Sequence, residues 1–190
     1  MHSTEKLKIG ISGASRGLGK AIFDNFSQIH DCTKVASRIE NVTEVFAEIE
    51  NCDVFINNAY NEHHQLKLLD YVYSQWRVQD KLIINIGSRA ANPNISKGFI
   101  YSTYKNALIH YSNLAIFKDK DKMCRITTIN PGLIDSDKMY GLDYMDVVKS
   151  INYVLSSGKS TEISRIDLHS STPYETVQNY KSITGGKWKF

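Results

Sequence analysis

The chain has 190 residues, enough for one domain with a buried core, and its 42% hydrophobic and 23% charged residues are ordinary for a folded protein. Its formal net charge of +3 comes from scattered basic residues, which argues against a nucleic-acid-binding or membrane-binding face. The three cysteines are widely spaced, which argues against a disulfide framework, and the polar N-terminus argues against a signal peptide. No apolar run reaches the roughly 20 residues of a membrane span, so we expect a cytoplasmic protein.

Short β-branched runs alternate along the chain with longer segments of helical periodicity, a pattern typical of βα units and a parallel sheet. The predicted strands are Leu7–Ser12, Lys34–Ser37, Asp53–Ile56, Leu82–Ile86, Arg125–Ile129 and Ile163–Leu168. The predicted helices are Leu18–Ile29, Val42–Ile49, His63–Arg77, Ser102–Phe117 and Asp146–Leu155. About six parallel strands with crossover helices predict a doubly wound, Rossmann-like α/β sheet in one domain, residues 1–168, followed by a tail, residues 169–190.

The third predicted helix has an apolar face, because large residues recur there every three or four positions. These residues are Leu66, Leu69, Val72, Tyr73 and Trp76. The adjacent His63 and His64 point to different faces and have no carboxylate or cysteine nearby, so we interpret both as surface residues and predict no metal site.

A glycine-rich turn joins the first strand to the first helix. Glycine lets a ligand approach the backbone, and the N–H groups at the start of a helix favour a pyrophosphate. We therefore predict a dinucleotide-phosphate site, with a flexible βα turn as the alternative; its GxxxGxG spacing differs from the GxGxxG fingerprint and from a P-loop. The predicted contacts are Gly13, Ser15, Arg16, Gly17, Leu18 and Gly19.

The second predicted strand ends in Ser37 and Arg38, where an acidic residue would bind the 2′-hydroxyl of an NAD ribose. Arg38 could instead pair with a 2′-phosphate, together with Arg16. The alternative is a pair of surface arginines. We predict that NADP(H) is preferred and that NAD(H) is possible.

Three residues suit the reduction of a carbonyl group. Ser88 follows an apolar strand at the edge where such sheets bind ligands, and Tyr101 and Lys105 share one face of a helix. A tyrosine hydroxyl can supply the proton that an alkoxide needs after hydride transfer, and a neighbouring lysine cation would favour the phenolate. The serine hydroxyl would hold the carbonyl oxygen.

Five ordered segments resemble motifs of the short-chain dehydrogenases/reductases: TGxxxGxG, NNAG, a serine after a strand, YxxxK, and PG with a later hydroxyl. The matching segments are Ser12–Gly19, Asn57–Tyr60, Ile83–Ser88, Tyr101–Lys105 and Pro131–Ser136. Ser88 precedes Tyr101 by 13 positions, as the corresponding serine does in the family.

The resemblance implies roles for further residues. It implies that Asn57, Asn58 and Ala59 stabilise the central strands and line the adenosine side of the cofactor, and that Tyr101 and Lys105 lie beside it, with Lys105 binding the nicotinamide ribose. The segment with Pro131, Gly132, Ile134 and Ser136 would hold the carboxamide side. Counting back from Ser88 at the family's spacing places Asn61 at the family's catalytic asparagine, which anchors a water that serves the lysine. The alternative for Asn61 is a helix cap without a catalytic role.

The sequence also departs from the family pattern. Tyr60 replaces the glycine of NNAG, and only about 18 residues separate Arg38 from Asn57, which predicts that one βα unit of the usual seven-stranded sheet is missing and that the second strand lies at the sheet edge. One helix replaces two between Tyr60 and Lys81, and the segment that covers the substrate is reduced to Asp137–Tyr144.

The sequence therefore predicts a truncated, NADP(H)-dependent short-chain dehydrogenase/reductase acting on a small carbonyl or alcohol, with no nucleic-acid or membrane partner. The alternatives are a catalytically silent, dinucleotide-binding regulatory protein and, less favoured because of its length, a sugar-nucleotide epimerase. The resemblance also implies a homodimer or homotetramer that pairs through the helices His63–Arg77 and Ser102–Phe117, with Tyr71, Tyr73 and Trp76 contributing to both core and interface.

Overall fold

The computed structural model describes residues 6–36, 41–92, 98–134 and 141–171. Six strands lie within these ranges: β1 (Lys8–Ser12), β2 (Asp31–Val35), β3 (Val54–Asn57), β4 (Leu82–Ile86), β5 (Arg125–Pro131) and β6 (Arg165–Leu168). The α-helices are α1 (Gly17–Phe26), α2 (Val42–Ala47), α3 (His64–Trp76), α4 (Phe99–Lys118) and α5 (Tyr144–Ser156), and a short 3₁₀ helix spans Arg89–Ala91. No helix in the described ranges is both long and apolar enough to cross a membrane.

The six strands form one parallel sheet in the order β2-β1-β3-β4-β5-β6. The predicted doubly wound α/β sheet is therefore confirmed, and β2 lies at its edge as expected. From β1 the chain moves one way to β2 and then returns to the other side of β1 with β3. This reversal creates a crevice at the carboxyl ends of β1 and β3, which is where open α/β sheets bind ligands.

Helices cover both faces of the sheet because successive strand residues point to opposite sides. Ile56 and Ile84 face a core that also contains residues of α1 and α5, whereas Phe55 and Ile83 face a second core with residues of α2, α3 and α4. The predicted apolar face of α3 is confirmed: Leu69, Val72, Tyr73 and Trp76 are buried and Leu66 is partly buried.

Two predicted boundaries need correction. The second strand spans Asp31–Val35, not Lys34–Ser37, because an edge strand is largely exposed and its polar residues gave no apolar run to detect. The fourth helix begins at Phe99, not Ser102, so that Tyr101 lies inside its first turn. Strand β4 matches its predicted bounds, and the other elements differ from the predictions by at most about three residues at their ends.

Candidate active site

Ser88 and Tyr101 meet beyond the carboxyl end of β4. The Ser88 hydroxyl accepts a hydrogen bond from the Ala90 backbone N–H at 3.1 Å, which begins the short 3₁₀ helix and fixes the serine. Burial raises the pKa of Tyr101, and a side-chain hydrogen bond with Ser88 offsets part of that rise. Tyr101 is therefore a neutral phenol at neutral pH, the form that can donate a proton.

Lys105 lies one helical turn after Tyr101 and is only 3% exposed. Its Nζ donates to the side-chain oxygen of Gln65 at 2.8 Å and to the carbonyl oxygen of Ile86 at 2.9 Å. The Tyr101 ring centroid lies 5.8 Å from the same nitrogen. Burial lowers the pKa of Lys105 to about 7, so this amine can change its charge near neutral pH.

The glycine-rich turn has the conformation that only glycine adopts readily. Gly13 and Gly17 have φ values of 70° and 54°. A methyl group on Gly19 would overlap the carbonyl oxygen of Gly13, so α1 approaches the turn as closely as the backbone allows. Arg16 is the N-cap residue without a side-chain capping bond, and no acidic residue lies in the first helical turn. These features fit an anion at the start of α1.

The turn after β3 is held against the glycine-rich turn by Ser12. The Ser12 hydroxyl accepts from the backbone N–H groups of Asn58 at 2.9 Å and Ala59 at 3.0 Å. Asn57 is fully buried and donates to the side-chain oxygen of Asn85 at 3.0 Å. Asn57 therefore ties β3 to β4 from within, and only Asn58 and Ala59 lie next to the turn at Gly13.

No protein-family model matches the chain, and no curated protein is significantly similar to it in sequence. Solved structures do resemble it. Serine dehydrogenase from Escherichia coli superposes with a TM-score of 0.71 at 17% identity, covering 85% of this chain and 97% of that chain. An oxidoreductase of the short-chain dehydrogenase/reductase family from Burkholderia thailandensis has a TM-score of 0.71 at 14% identity, covering 95% and 98%. L-sorbose reductase from Gluconobacter frateurii, complexed with NADPH and L-sorbose, has a TM-score of 0.69 at 16% identity, covering 87% and 95%.

The chain has the short-chain dehydrogenase/reductase fold. Its structural relatives match over nearly their whole length, although β2 is the last strand on its side of the sheet. The motifs that resemble that family lie at or near the carboxyl ends of the strands. The glycine-rich turn follows β1, Ser88 follows β4, and Tyr101 and Lys105 lie on α4.

Tyr60, which departs from the NNAG motif of short-chain dehydrogenases/reductases, lies inside the candidate site. Its ring meets the Tyr101 ring at a centroid distance of 4.9 Å in an edge-to-face arrangement. Its centroid also lies 5.2 Å from the Lys105 nitrogen, so the rings of Tyr60 and Tyr101 both lie within 6 Å of the amine. Tyr60 as a whole is 41% exposed.

The helix-cap alternative for Asn61 needs correction, whereas its catalytic role stays a prediction. Glu62 adopts a left-handed φ of 43° and turns the chain before α3, whose N-cap is His63 without a side-chain bond, so Asn61 does not cap the helix. The Asn61 side chain is exposed, and its backbone oxygen accepts from the His64 N–H. The residue of α3 that contacts Lys105 is Gln65, which was not predicted because its sequence context marks no motif.

The segment after β5 is described only in part. Pro131 is buried at the strand end, and the Gly132 N–H donates to the Leu168 carbonyl oxygen at 2.9 Å. Ile134 and Leu142 pair through an isolated parallel β-bridge. Several predicted residues lie outside the described ranges: Ser37, Arg38, Ser136 and most of the predicted tail.

The prediction that both histidines lie at the surface is confirmed for His63 and wrong for His64. His63 is exposed, but His64 is buried because it belongs to the inner face of α3. The described residues contain no group of three or more histidines, cysteines or carboxylates that could hold a metal ion.

Proposed function

We propose that this protein is a truncated short-chain dehydrogenase/reductase that uses NADP(H) to interconvert a small carbonyl compound and its alcohol. The observation that carries the proposal is the hydrogen-bonded pair of Ser88 and Tyr101 beside the buried amine of Lys105. The pair lies at the same edge of the sheet as the glycine-rich turn.

The residues present fit a nicotinamide dinucleotide. The N-terminus of α1 would hold its phosphates, Asn58 and Ala59 would line its adenosine side, and Lys105 would bind the ribose. Arg16 and Arg38 would favour a 2′-phosphate over a hydroxyl group. Relatives of the same fold were solved with NADP+, with NADPH and with NADH, which supports this cofactor class. When bound, the cofactor supplies or accepts the hydride.

The side chains of the site would handle the proton and orient the substrate. Ser88 would donate a hydrogen bond to the carbonyl oxygen, and Tyr101 would transfer its phenolic proton to that oxygen as negative charge develops. Lys105 would stabilise the phenolate that remains. In the direction of alcohol oxidation, the same phenolate would accept the proton.

A second candidate function is a dinucleotide-binding regulatory protein without turnover. The position of the Tyr60 ring against Tyr101 and over Lys105 favours it, because an aromatic side chain there narrows the approach to both groups. In either case we propose a homodimer or homotetramer that pairs through α3 and α4.

Two measurements distinguish the candidates. Titration with NADPH and NADH, followed by nicotinamide fluorescence, tests dinucleotide binding. Turnover of a panel of aldehydes, ketones and sugars then tests catalysis. Binding with turnover supports the oxidoreductase, binding without turnover of any compound supports the regulatory protein, and failure to bind either dinucleotide contradicts both.

A further inference from the structure

Gln65 lies in the first turn of α3, is 2% exposed, and is bonded at both ends of its amide. Its nitrogen donates to the carbonyl oxygens of Asn57 at 2.8 Å and Ile86 at 3.1 Å. Its oxygen accepts from Lys105 at 2.8 Å. Because the two carbonyl groups can only accept, they fix the amide nitrogen toward the strand ends and the amide oxygen toward the lysine.

Three hydrogen bonds among Gln65, Ile86 and Lys105 close a ring that includes the lysine nitrogen. The carbonyl oxygen of Ile86 accepts both from Gln65 and from Lys105, and Lys105 also donates to Gln65. Two of the three hydrogens of an ammonium group are thereby directed into the protein. The third hydrogen is used by neither bond, and the ring centroids of Tyr60 and Tyr101 lie 5.2 and 5.8 Å from the nitrogen.

The titratable groups that face this nitrogen are the two phenols, Tyr60 from the turn after β3 and Tyr101 from α4. The ends of β3 and β4 present carbonyl groups and amides, and α3 presents Gln65. Burial is the one cause that shifts the pKa of Lys105, with no contribution from a charged side chain among the described residues. The bond to Gln65 is therefore the main side-chain interaction that can hold the amine in its charged form.

We propose that Gln65 is a positioning residue: its amide holds the Lys105 amine against the Ile86 carbonyl group and directs the remaining hydrogen toward Tyr101. This inference rests on the proposed function for its catalytic consequence. The contact itself is independent of that function and can be tested without it.

The test follows the protonation of Lys105 by NMR in protein labelled with ¹³C-lysine, using Lys105→Met to assign the signal. Gln65→Leu removes the acceptor, so the Lys105 pKa should fall by roughly 1 to 2 pH units. Gln65→Glu keeps the size and places a carboxylate on the amine, so the pKa should rise above that of the unmodified protein. Gln75→Leu, an exposed glutamine on the same helix, is the matched control and should leave the signal unchanged.

Kinetics provide the second readout. We expect Gln65→Leu to lower kcat about tenfold to a hundredfold, with a smaller change in KM for substrate, because the amine is no longer held toward Tyr101. The pH at which turnover is half-maximal should move in the same direction as the NMR value in both variants. Gln65→Glu should keep more activity than Gln65→Leu at the same pH.

An unchanged Lys105 titration in Gln65→Leu and Gln65→Glu overturns the inference, whatever the activity of the variants. If Gln65→Leu does not fold, Gln65→Glu decides the question alone, since an unshifted pKa beside a new carboxylate contradicts the contact. If the unmodified protein binds no dinucleotide, the proposed function fails while the titration still decides whether Gln65 positions Lys105.

Discussion

Tyr101 and Lys105 share one face of α4, and the same burial shifts their pKa values in opposite directions. Burial favours the neutral form of both, which raises the pKa of the phenol and lowers that of the amine. The protein without ligand therefore holds a protonated tyrosine next to a lysine that titrates near neutral pH. Reduction of a carbonyl group needs a proton donor, so this protonation state would suit the reductive direction of the proposed reaction.

Tyr101→Phe should lower kcat by at least about a hundredfold and leave NADPH affinity nearly unchanged, since it removes the proton donor and little contact area. Tyr104→Phe, on the same helix, is the matched control and should keep its activity. The measurements are turnover of a substrate identified in the panel and fluorescence titration. Retention of most activity in Tyr101→Phe would show that another group supplies the proton.

The pH dependence of stability should reveal the buried amine. Its pKa is about 7 in the folded protein, whereas an unfolded lysine has a pKa of about 10.4, so between these values the unfolded state binds more protons. Lys105 therefore makes the free energy of unfolding rise with pH from about 7 to 10, by up to about 1.4 kcal/mol per pH unit. We expect urea denaturation to show this slope in the unmodified protein and to show less of it in Lys105→Met.

The control for this experiment is Lys67→Met, which changes an exposed lysine of α3. Other groups that titrate in the same range contribute equally to all three proteins, so the comparison isolates Lys105. Parallel stability profiles for the unmodified protein and Lys105→Met would mean that the folded protein does not shift the lysine.

At the scale of elements, the junction of β1 and α1 depends on close backbone contact. In Gly19→Ala the added methyl group would meet the carbonyl oxygen of Gly13 and the amide of Asn58. Overpacking of this kind costs about 1–3 kcal/mol, and any shift of α1 would move its N–H groups away from the phosphates of the proposed dinucleotide. We expect a lower melting temperature and weaker dinucleotide binding. Gly98→Ala, whose methyl group meets nothing within 4 Å, should change neither.

The sequence predicts the bounds of buried strands more accurately than those of exposed strands. Strands β3 and β4 are buried along their whole length and were located to within about one residue, whereas exposed β2 was placed about three residues too late. Ser88, Tyr101 and Lys105 were found because their spacing is local. Gln65 was missed because its role depends on partners 8, 21 and 40 positions away, which come together only in the folded sheet.

For the whole molecule, the outer face of α4 is the surface through which we expect subunits to pair. Leu114 and Phe117 are 39% and 73% exposed on this helix. The expectation that Tyr73 and Trp76 add interface area is wrong, since both are buried in the core. We predict a homodimer or homotetramer by light scattering at micromolar concentration, and a shift toward monomer in Leu114→Arg with Phe117→Arg.

Tyr153→Arg, which changes an exposed aromatic residue on α5, is the matched control and should leave the mass unchanged. A monomeric unmodified protein would contradict pairing through this face, and so would a double variant with the mass of the unmodified protein.

The position of β2 also explains how a shortened chain can keep the arrangement of its candidate site. β2 pairs with β1, and both β1 and β3 lie between it and β4, the strand that Ser88 follows. Loss of a peripheral unit beyond β2 leaves every hydrogen-bonded strand pair around Ser88 intact. It also uncovers a row of backbone groups to which a foreign strand could add, and the exposed Asp31 and Lys34 on this five-residue strand oppose such addition. The sheet can thus lose a unit at its margin while the strands that border the candidate cofactor crevice, β1 and β3, keep their neighbours.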